Sequence, residues 1–405
     1  YIQPQPEKGE ELRWNWDTPL ILSSHSPTRL YIAANRLFRT DDRGNTWKAI
    51  SPDLSRQIDR NKLPVMGKIQ SIDAVAKNAS TSIYGNSVAL SESPLNPDLL
   101  YVGTDDGLIQ ITEDGGQNWT AIKSINGLPD TTYVSDLFAS QHNENVVYAS
   151  FNNHKRADFK PYLFKSTDKG KSWKSIVGNL PNNHQVWTIV EDFVNPNLLF
   201  CGTEFALYFS IDGGEKWTKL SSGFPTIAVR DLEIQKRESD LVVGTFGRGI
   251  YILDDYSPLR TLNSDILQKD IFLFPVKDAL MFNQDDSKAK SDNGETFYRA
   301  KNPEYGATFS FYLKDAFKTL KQSRREQESK LKKEGKPISY PTLEQMFNED
   351  NEEASYLILQ ITNDEGFVCR QLTHTPTKGI NRVNWDLCFP NTSPIEKDIQ
   401  INRYS

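Results

Sequence analysis

Apolar residues recur through the first 255 positions in short runs, paired across a Gly or Ala turn and closed by a polar hairpin. Leu99-Leu100-Tyr101-Val102-Gly103-Thr104 precedes Leu108-Ile109-Gln110-Ile111, and Leu198-Leu199-Phe200-Cys201-Gly202-Thr203 precedes Leu207-Tyr208-Phe209. The same grammar sets Leu30–Ala33 before Leu37-Phe38, and Val146–Ala149 before Tyr162–Phe164. Runs this short, rich in aromatic and β-branched residues and bounded by turn residues, predict strands. One more apolar run lies upstream of each pair, such as Ser87–Leu90 or Trp187–Val190, which makes four strands per repeat.

Each repeat closes on the pattern Ser/Thr-x-Asp-x-Gly-x-x-Trp. The copies run from Thr40 to Trp47 around Asp42, from Thr112 to Trp119 around Asp114, from Ser166 to Trp173 around Asp168, and from Ser210 to Trp217 around Asp212. These residue types suit a tight, self-bonded turn. Asp accepts from backbone N–H groups just downstream, and Gly takes the positive-φ position. The Ser or Thr hydroxyl bonds back across the turn, and Trp packs into the groove between sheets.

A fifth copy, Leu241–Thr245 with Gly249–Ile252, ends in Leu253-Asp254-Asp255 and lacks the Trp, so it reads as a degenerate or closing unit. The four Asp positions are separated by about 72, 54 and 44 residues, against roughly 40 to 50 for a plain propeller blade. The first gap therefore predicts an insertion between Ser55 and Asn86, with Arg56–Lys68 as its polar part. The second predicts a smaller, basic one over Asn152–Lys160. The repeat predicts an all-β chain whose residues 1–255 form about five four-stranded blades of a β-propeller. Five blades can close a ring. A ring of six to eight, with seven expected, places the missing blades upstream of Tyr1, and open strand edges then call for a closing segment of the same protein or a partner chain.

After Asp255 the grammar stops, and Tyr256–Arg260 reads as a linker into a second domain over 256–405. A polar run, Asp285–Gly294, precedes the alternating strand Ala307–Leu313. Residues 315–334 carry Lys, Arg and Glu at helical pair spacing and predict a solvated helix. Strands resume at Tyr356–Ile361, turn through Asn363–Gly366 into Phe367–Leu372, and end with Gly379–Leu387 around a core Trp385. A small β-sandwich with a helical insertion, incomplete at its end, is the expectation.

Composition refines this picture. An aromatic share of 11% favours strands, and a net charge of −6 argues against nucleic acid or anionic membrane as a partner. No stretch reaches the roughly 18 to 20 apolar residues of a membrane helix. The start, Tyr1-Ile2-Gln3-Pro4, is neither an initiator Met nor a signal peptide, so the chain reads as an interior piece. Cys201, Cys369 and Cys388 are too few for a disulfide framework. Cys369 and Cys388 can pair, but buried free thiols are expected. His25, His142, His154, His184 and His374 show no metal-ligand spacing, and no phosphate loop or nucleophile elbow occurs, so neither metal nor cofactor is expected.

Glycoside hydrolysis uses two carboxylates, but Asp42, Asp114, Asp168 and Asp212 repeat once per blade and are read, with Trp47, Trp119, Trp173 and Trp217, as hairpin structure. Ligands bind where inner-strand loops converge on the channel. Arg13, Asn15, Trp16, Tyr84, Asn86, Trp187 and Arg230 fall there, with Arg248 on the last hairpin. Trp and Tyr offer stacking surfaces, and Arg13 and Arg230 can clamp a carboxylate. A Trp on an apolar strand is ordinarily core, which is the competing reading of Trp16 and Trp187. The carboxylates placed near the channel are Glu191, beside Asp192, with Glu204 and Asp231.

On these boxes, residues 1–255 resemble the Asp-box (BNR) repeat proteins, which include sortilin-type Vps10 domains, sialidases and xyloglucan-degrading propeller glycosidases. Arg13-Trp14-Asn15-Trp16, Pro161–Lys165 and Gly247–Asp255 look like a family of large secreted bacterial proteins labelled glycosyl hydrolase or sortilin-like, and the likeness extends through Gly379–Leu387. It implies export to the periplasm, outer membrane or medium, and two propellers of which this chain holds most of the second. The expected function is a binding scaffold for protein, peptide or glycan. The alternative is a glycoside hydrolase with a carboxylate pair in the channel or in a cleft shared with an upstream propeller.

Overall fold

The computed structural model describes residues 2–75, 77, 84–283 and 300–390, so the polar run 285–294 lies outside the described residues. The chain divides into two compact units, Tyr1–Arg260 and Thr261–Ser405.

In the first unit the short apolar runs form five antiparallel sheets, each built from strands consecutive in sequence. Blade 1 holds β1 (Leu20–Leu22), β2 (Leu30–Ala33), β3 (Leu37–Thr40) and β4 (Lys48–Ala49). Blade 2 holds β5 (Ser87–Glu92), β6 (Leu100–Thr104), β7 (Ile109–Thr112) and β8 (Thr120–Ile122). Blade 3 holds β9 (Tyr133–Ala139), β10 (Val147–Asn153), β11 (Asp158–Ser166) and β12 (Lys174–Ser175). Blade 4 holds β13 (Val186–Glu191), β14 (Leu199–Thr203), β15 (Leu207–Ser210) and β16 (Thr218–Leu220). Blade 5 has three strands, β17 (Val229–Gln235), β18 (Asp240–Thr245) and β19 (Ile250–Leu253). This is the β-propeller architecture, here as an array of five blades.

The blades are held by apolar layers between neighbouring sheets. Tyr31, Ala33, Leu37, Leu90, Leu100 and Val102 fill the space between blades 1 and 2. Tyr101, Ile109, Val134, Leu137, Ala149 and Phe164 do so between blades 2 and 3, and Tyr148, Leu163, Ile189, Leu199, Cys201 and Trp217 between blades 3 and 4. Burying one such large side chain contributes about 1.5–3 kcal/mol, so these layers dominate the stability of the array.

The four hairpins share one bonding scheme. Asp42, Asp114, Asp168 and Asp212 each accept, through Oδ1, the Ser or Thr hydroxyl two residues before and the N–H four residues after, at 2.7–2.9 Å. That hydroxyl accepts from the glycine N–H at 2.8–3.0 Å. Gly44, Gly116, Gly170 and Gly214 have φ of 85–101°, a region L side chains avoid. The Thr40 and Thr46 hydroxyls hold the Asp42 carboxyl down to about 2, and equivalent bonds do the same for Asp114 and Asp168. Such carboxylates stay ionised and engaged in their turns. The tryptophans are less uniform than the repeat suggests. Trp217 is buried and donates to Ile176 O of the preceding blade at 2.9 Å. Trp119 reaches Ile50 O in the same way at 3.1 Å but is half-buried, and Trp173 donates within its own turn to Gly170 O.

A second inter-blade device recurs without a contiguous sequence signature. Glu92, ending the inner strand of blade 2, accepts from Ser23 Oγ (2.8 Å), Ser24 N (2.9 Å) and Tyr31 Oη (3.1 Å) of blade 1. Glu191 in blade 4 accepts from Ser140 Oγ (2.7 Å), Gln141 N (2.9 Å) and Tyr148 Oη (2.9 Å) of blade 3. His25 and His142 complete the latches on Ser93 O and Asp192 O. Strand register places Ala139 of blade 3 where these glutamates stand, and the buried Tyr101 hydroxyl of blade 2 has no hydrogen-bond partner among the described residues. Tyr148→Phe should therefore cost about 1–3 kcal/mol, whereas Tyr101→Phe should be neutral or stabilising. Urea unfolding of both variants checks this, and equal losses would contradict the assignment.

The second unit contains a three-stranded sheet, with β20 (Ile271–Leu273) beside β21 (Ala307–Leu313) beside β24 (Gly379–Trp385), and a hairpin of β22 (Leu357–Thr362) and β23 (Val368–His374). The charged segment 315–334 is helical over Leu320–Lys333 (α1), because a capping box of Thr319 and Gln322 sets its start. A further helix, Leu343–Asp350 (α2), opens on the same device at Thr342 and Gln345 and lies outside the segment that the charge pattern marks. Arg324 of α1 pairs with Glu349 of α2 at 2.6 and 2.8 Å. Trp385 is half-buried, not a core residue, because its indole N–H turns to Cys388 O. All three cysteines are free, and of them Cys201 alone is buried, Cys369 being half-buried and Cys388 exposed.

Candidate functional site

In blades 2 to 5 the inner strand carries a β-bulge at the same point, leaving Val88, Ser135, Trp187 and Arg230 as the extra residue. A bulge breaks the ladder and re-aims a side chain. In blades 4 and 5 it brings Arg230 over Trp187, the guanidinium carbon 3.5 Å from the ring centroid and 5.1 Å from that of Phe246. The strand corners that follow the second strand of each blade open on the same mouth, and these supply Asp105, Asn152, His154 and Lys155.

The result is a cleft of about 540 Å³ lined by Asn15, Trp16, Asp17, Tyr84, Asp105, Tyr133, Asn152, His154, Lys155, Trp187 and Arg230. Every blade contributes. Of the sequence candidates, Asn15, Trp16, Tyr84, Trp187 and Arg230 come together here. Trp16 is 87% exposed on the rim, whereas Trp187 forms a wall, its indole N–H donating to Glu204 Oε2 at 2.8 Å. Gln185 Nε2 donates to the same oxygen at 3.0 Å, so Glu204 braces the wall. His154 packs against Trp187, ring centroids 5.6 Å apart, with Nδ1 bonded to Asn152 Oδ1 at 2.7 Å. Burial, then Lys155 and Arg230, lower its pKa and favour the neutral ring.

Other candidates lie elsewhere. Arg13 is occupied by Asp53 (2.6 Å), Ser55 Oγ (2.9 Å) and Gly85 O (3.2 Å), and ties the entering chain to the first insertion. Asn86 is buried behind the cleft, its N–H held by Asp105 Oδ1 at 2.8 Å. Arg248 is exposed on the β18–β19 turn, outside the lining. Glu191 serves the latch at the far end of β13, and Asp231, paired with Gly244 in blade 5, lies outside the lining.

Electrostatics separates the groups in the cleft. Burial raises Asp105 to about 6 despite the N–H groups of Asn86 and Gly85, with Asp106 adding to the rise. Burial also pulls Arg230 below its usual value, against the attraction of Glu204 and Asp17. No hydrogen bond or ion pair occupies the Arg230 N–H groups among the described residues. Lys155 sits 5.4 Å from the centroid of Tyr133. Asp17, Asp105, Tyr133, Asn152, His154 and Lys155 were not singled out from sequence. Asp105 occupies the repeat position of Glu204, and Asn152–Lys155 fall in the insertion that the repeat spacing exposes, so both signals were present. Among the described residues no group of three His, Cys, Asp or Glu side chains is placed to hold a metal.

Fold and mouth together define a β-propeller array with a ligand-sized cleft to which all five blades contribute. Similar folds occur in the GH74 xyloglucanase from Xanthomonas campestris, at 18% identity and TM-score 0.42 over 57% of this chain and 36% of that one. They occur also in a Niastella koreensis GH74 enzyme, at 15% and 0.41 over 62% and 40%. The extracellular domain of a hybrid two component system from B. thetaiotaomicron gives 16% and 0.41 over 63% and 29%. The chain thus spans about a third of the length of these structures. No protein-family model and no curated protein sequence matches it. No helix among the described residues is long and apolar enough to cross a membrane.

Proposed function

We propose that this chain is the binding part of an exported Asp-box propeller scaffold and that the five-blade cleft takes a glycan. The observation that carries this reading is the lining itself, which among the described residues holds aromatic and polar side chains and no aliphatic one. Sugar rings offer C–H faces to aromatic rings and hydroxyls to Asn, Asp and Tyr, whereas apolar peptide side chains want aliphatic pockets. Arg230, its guanidinium carbon 3.5 Å from the Trp187 ring centroid and its N–H groups unoccupied among the described residues, is pre-organised for a planar acceptor such as the carboxylate of an acidic sugar.

Calorimetric titration with paired neutral and uronate-bearing oligosaccharides tests this. Arg230→Met should weaken the acidic ligand at least about tenfold, the order of one charge-assisted pair, and leave the neutral one unchanged. Absence of binding to every oligosaccharide at millimolar concentration would sink the reading. A second reading, glycoside hydrolysis, draws on one observation: Asp105, raised to about 6 in a cleft, has the character of a general acid. Release of reducing sugar that disappears in Asp105→Asn would favour it over simple binding.

A further inference from the structure

Blade 5 turns one sheet face to solvent. Strand register places Asp231, Gly244 and Ile250 in one row and Glu233, Val242 and Ile252 in the next. Ile250 is 71% and Ile252 58% exposed, while Leu232, Ile234, Leu241 and Val243 on the opposite face are buried. In blades 2 to 4 the matching face is covered by the next blade through specific devices. A Cβ on Gly103 would lie 2.4 Å from Val134 Cγ1 of blade 3, and one on Gly202 would lie 2.6 Å from Val229 Cγ1 of blade 5. Each glycine is thus a socket for a valine that opens the neighbouring inner strand. Asp136 of blade 3 is the second device, accepting from Thr188 Oγ1 at 2.9 Å and Ile189 N at 3.0 Å of blade 4.

Blade 5 carries both devices without their counterparts. Gly244 stands in register with Gly103 and Gly202, yet an added Cβ there would meet nothing nearer than Asp231 Cβ of its own blade, at 3.4 Å. Its φ lies outside the left-handed region, so backbone geometry does not call for glycine. Asp231 stands in register with Asp136 and accepts the N–H of Leu232 in its own strand, at 2.9 Å.

We propose that this face docks a further propeller blade, whose inner strand brings a β-branched side chain to Gly244 and an N–H with a Ser or Thr hydroxyl to Asp231. Continuity with the four blade-to-blade contacts within the chain identifies the occupant. A second copy of this chain does not match it. Register in blade 1 puts Pro19 at the Thr188 position, which has no hydroxyl to offer Asp231. The proposal is independent of what the cleft binds.

The test compares the 405-residue chain with the protein purified from its native source, each with and without Gly244→Val. The native protein should exchange the backbone amides of β17 and β19 at least tenfold more slowly than the chain. Gly244→Val should lower its Tm by more than 5 °C while moving that of the chain by less than 2 °C. Equal exchange, or an equal shift in both, would overturn the proposal. So would a dimer of the 405-residue chain that protects these amides, since the occupant would then be a second copy.

Discussion

Replacing Arg260 with alanine is expected to lower the unfolding free energy by about 3–5 kcal/mol, the usual loss when one partner of a buried ion pair is removed. The Asp192 side chain is wholly inaccessible, and Arg260 holds both of its oxygens, with Nε 3.0 Å from each and Nη2 2.8 Å from Oδ1. Tyr256 Oη donates to Oδ1 at 2.6 Å, and the N–H groups of Val194 and Asn195 fill Oδ2. The guanidinium also lies 4.5 Å from the Phe193 ring centroid. Burial alone would raise the Asp192 carboxyl, but Arg260, Tyr256 and the Asn195 N–H hold it below the usual carboxylate value. A depressed folded pKa contributes stability that is complete above the unfolded value, near 4, and is lost as pH falls through the folded value. Arg260→Ala removes the depression and leaves the burial, so acid unfolding should also begin at higher pH. Urea titrations at pH 7 and across the acid limb measure both effects. A loss below about 1 kcal/mol would mean that water replaces the guanidinium without penalty.

Trp217→Ala should cost about 3–5 kcal/mol, the range for a buried aromatic replaced by a cavity. Its indole fills the layer between blades 3 and 4. Its own backbone N–H is held by Asn179 Oδ1 at 2.6 Å, and Asn179 Nδ2 returns to Trp217 O at 3.0 Å. The truncation opens a void beside Ile176 and leaves Ile176 O without its donor. Trp119 occupies the same repeat position but is half-buried, so Trp119→Ala should cost no more than about half as much, in proportion to the apolar area removed. Chemical denaturation of the two variants side by side distinguishes them. Equal losses would show that the hairpin sequence, and not the depth of each indole, sets the energy.

The fold was legible because its signals are local. Leu99–Thr104 and Leu108–Ile111 became paired strands of one sheet, and the pattern around Asp114 became the turn drawn from its residue types. The latches were not legible, because Glu191 meets Ser140 and Tyr148 across two sheets, 51 and 43 residues away. Glu191 and Asp192 read as free channel carboxylates when only their strand is in view. The helix α2 was missed because Thr342 and Gln345 bracket a short segment whose composition does not stand out.

The site was partly legible. Trp187 and Arg230 were placed by their repeat position, but their stacking follows from bulges that a strand pattern does not reveal. Arg13 and Arg230 are one residue type at analogous starts of a blade, and they diverge because Asp53 happens to reach the first and, among the described residues, no carboxylate ion-pairs with the second. Gly244 shows the converse. Within one strand it is an ordinary turn-side glycine, and it becomes a socket only when laid over Gly103 and Gly202.

Convergence of the five blades on one mouth gives the proposed glycan site its side chains. A glycan array probed with the wild-type chain and with Trp16→Ala tests that site most directly, since Trp16 is 87% exposed and its loss should leave Tm unchanged. Binding to a defined set of glycans is expected, and it should fall at least about tenfold in Trp16→Ala, as loss of an aromatic platform requires. Binding that is the same in both proteins, or no binding by the wild-type chain, would contradict it.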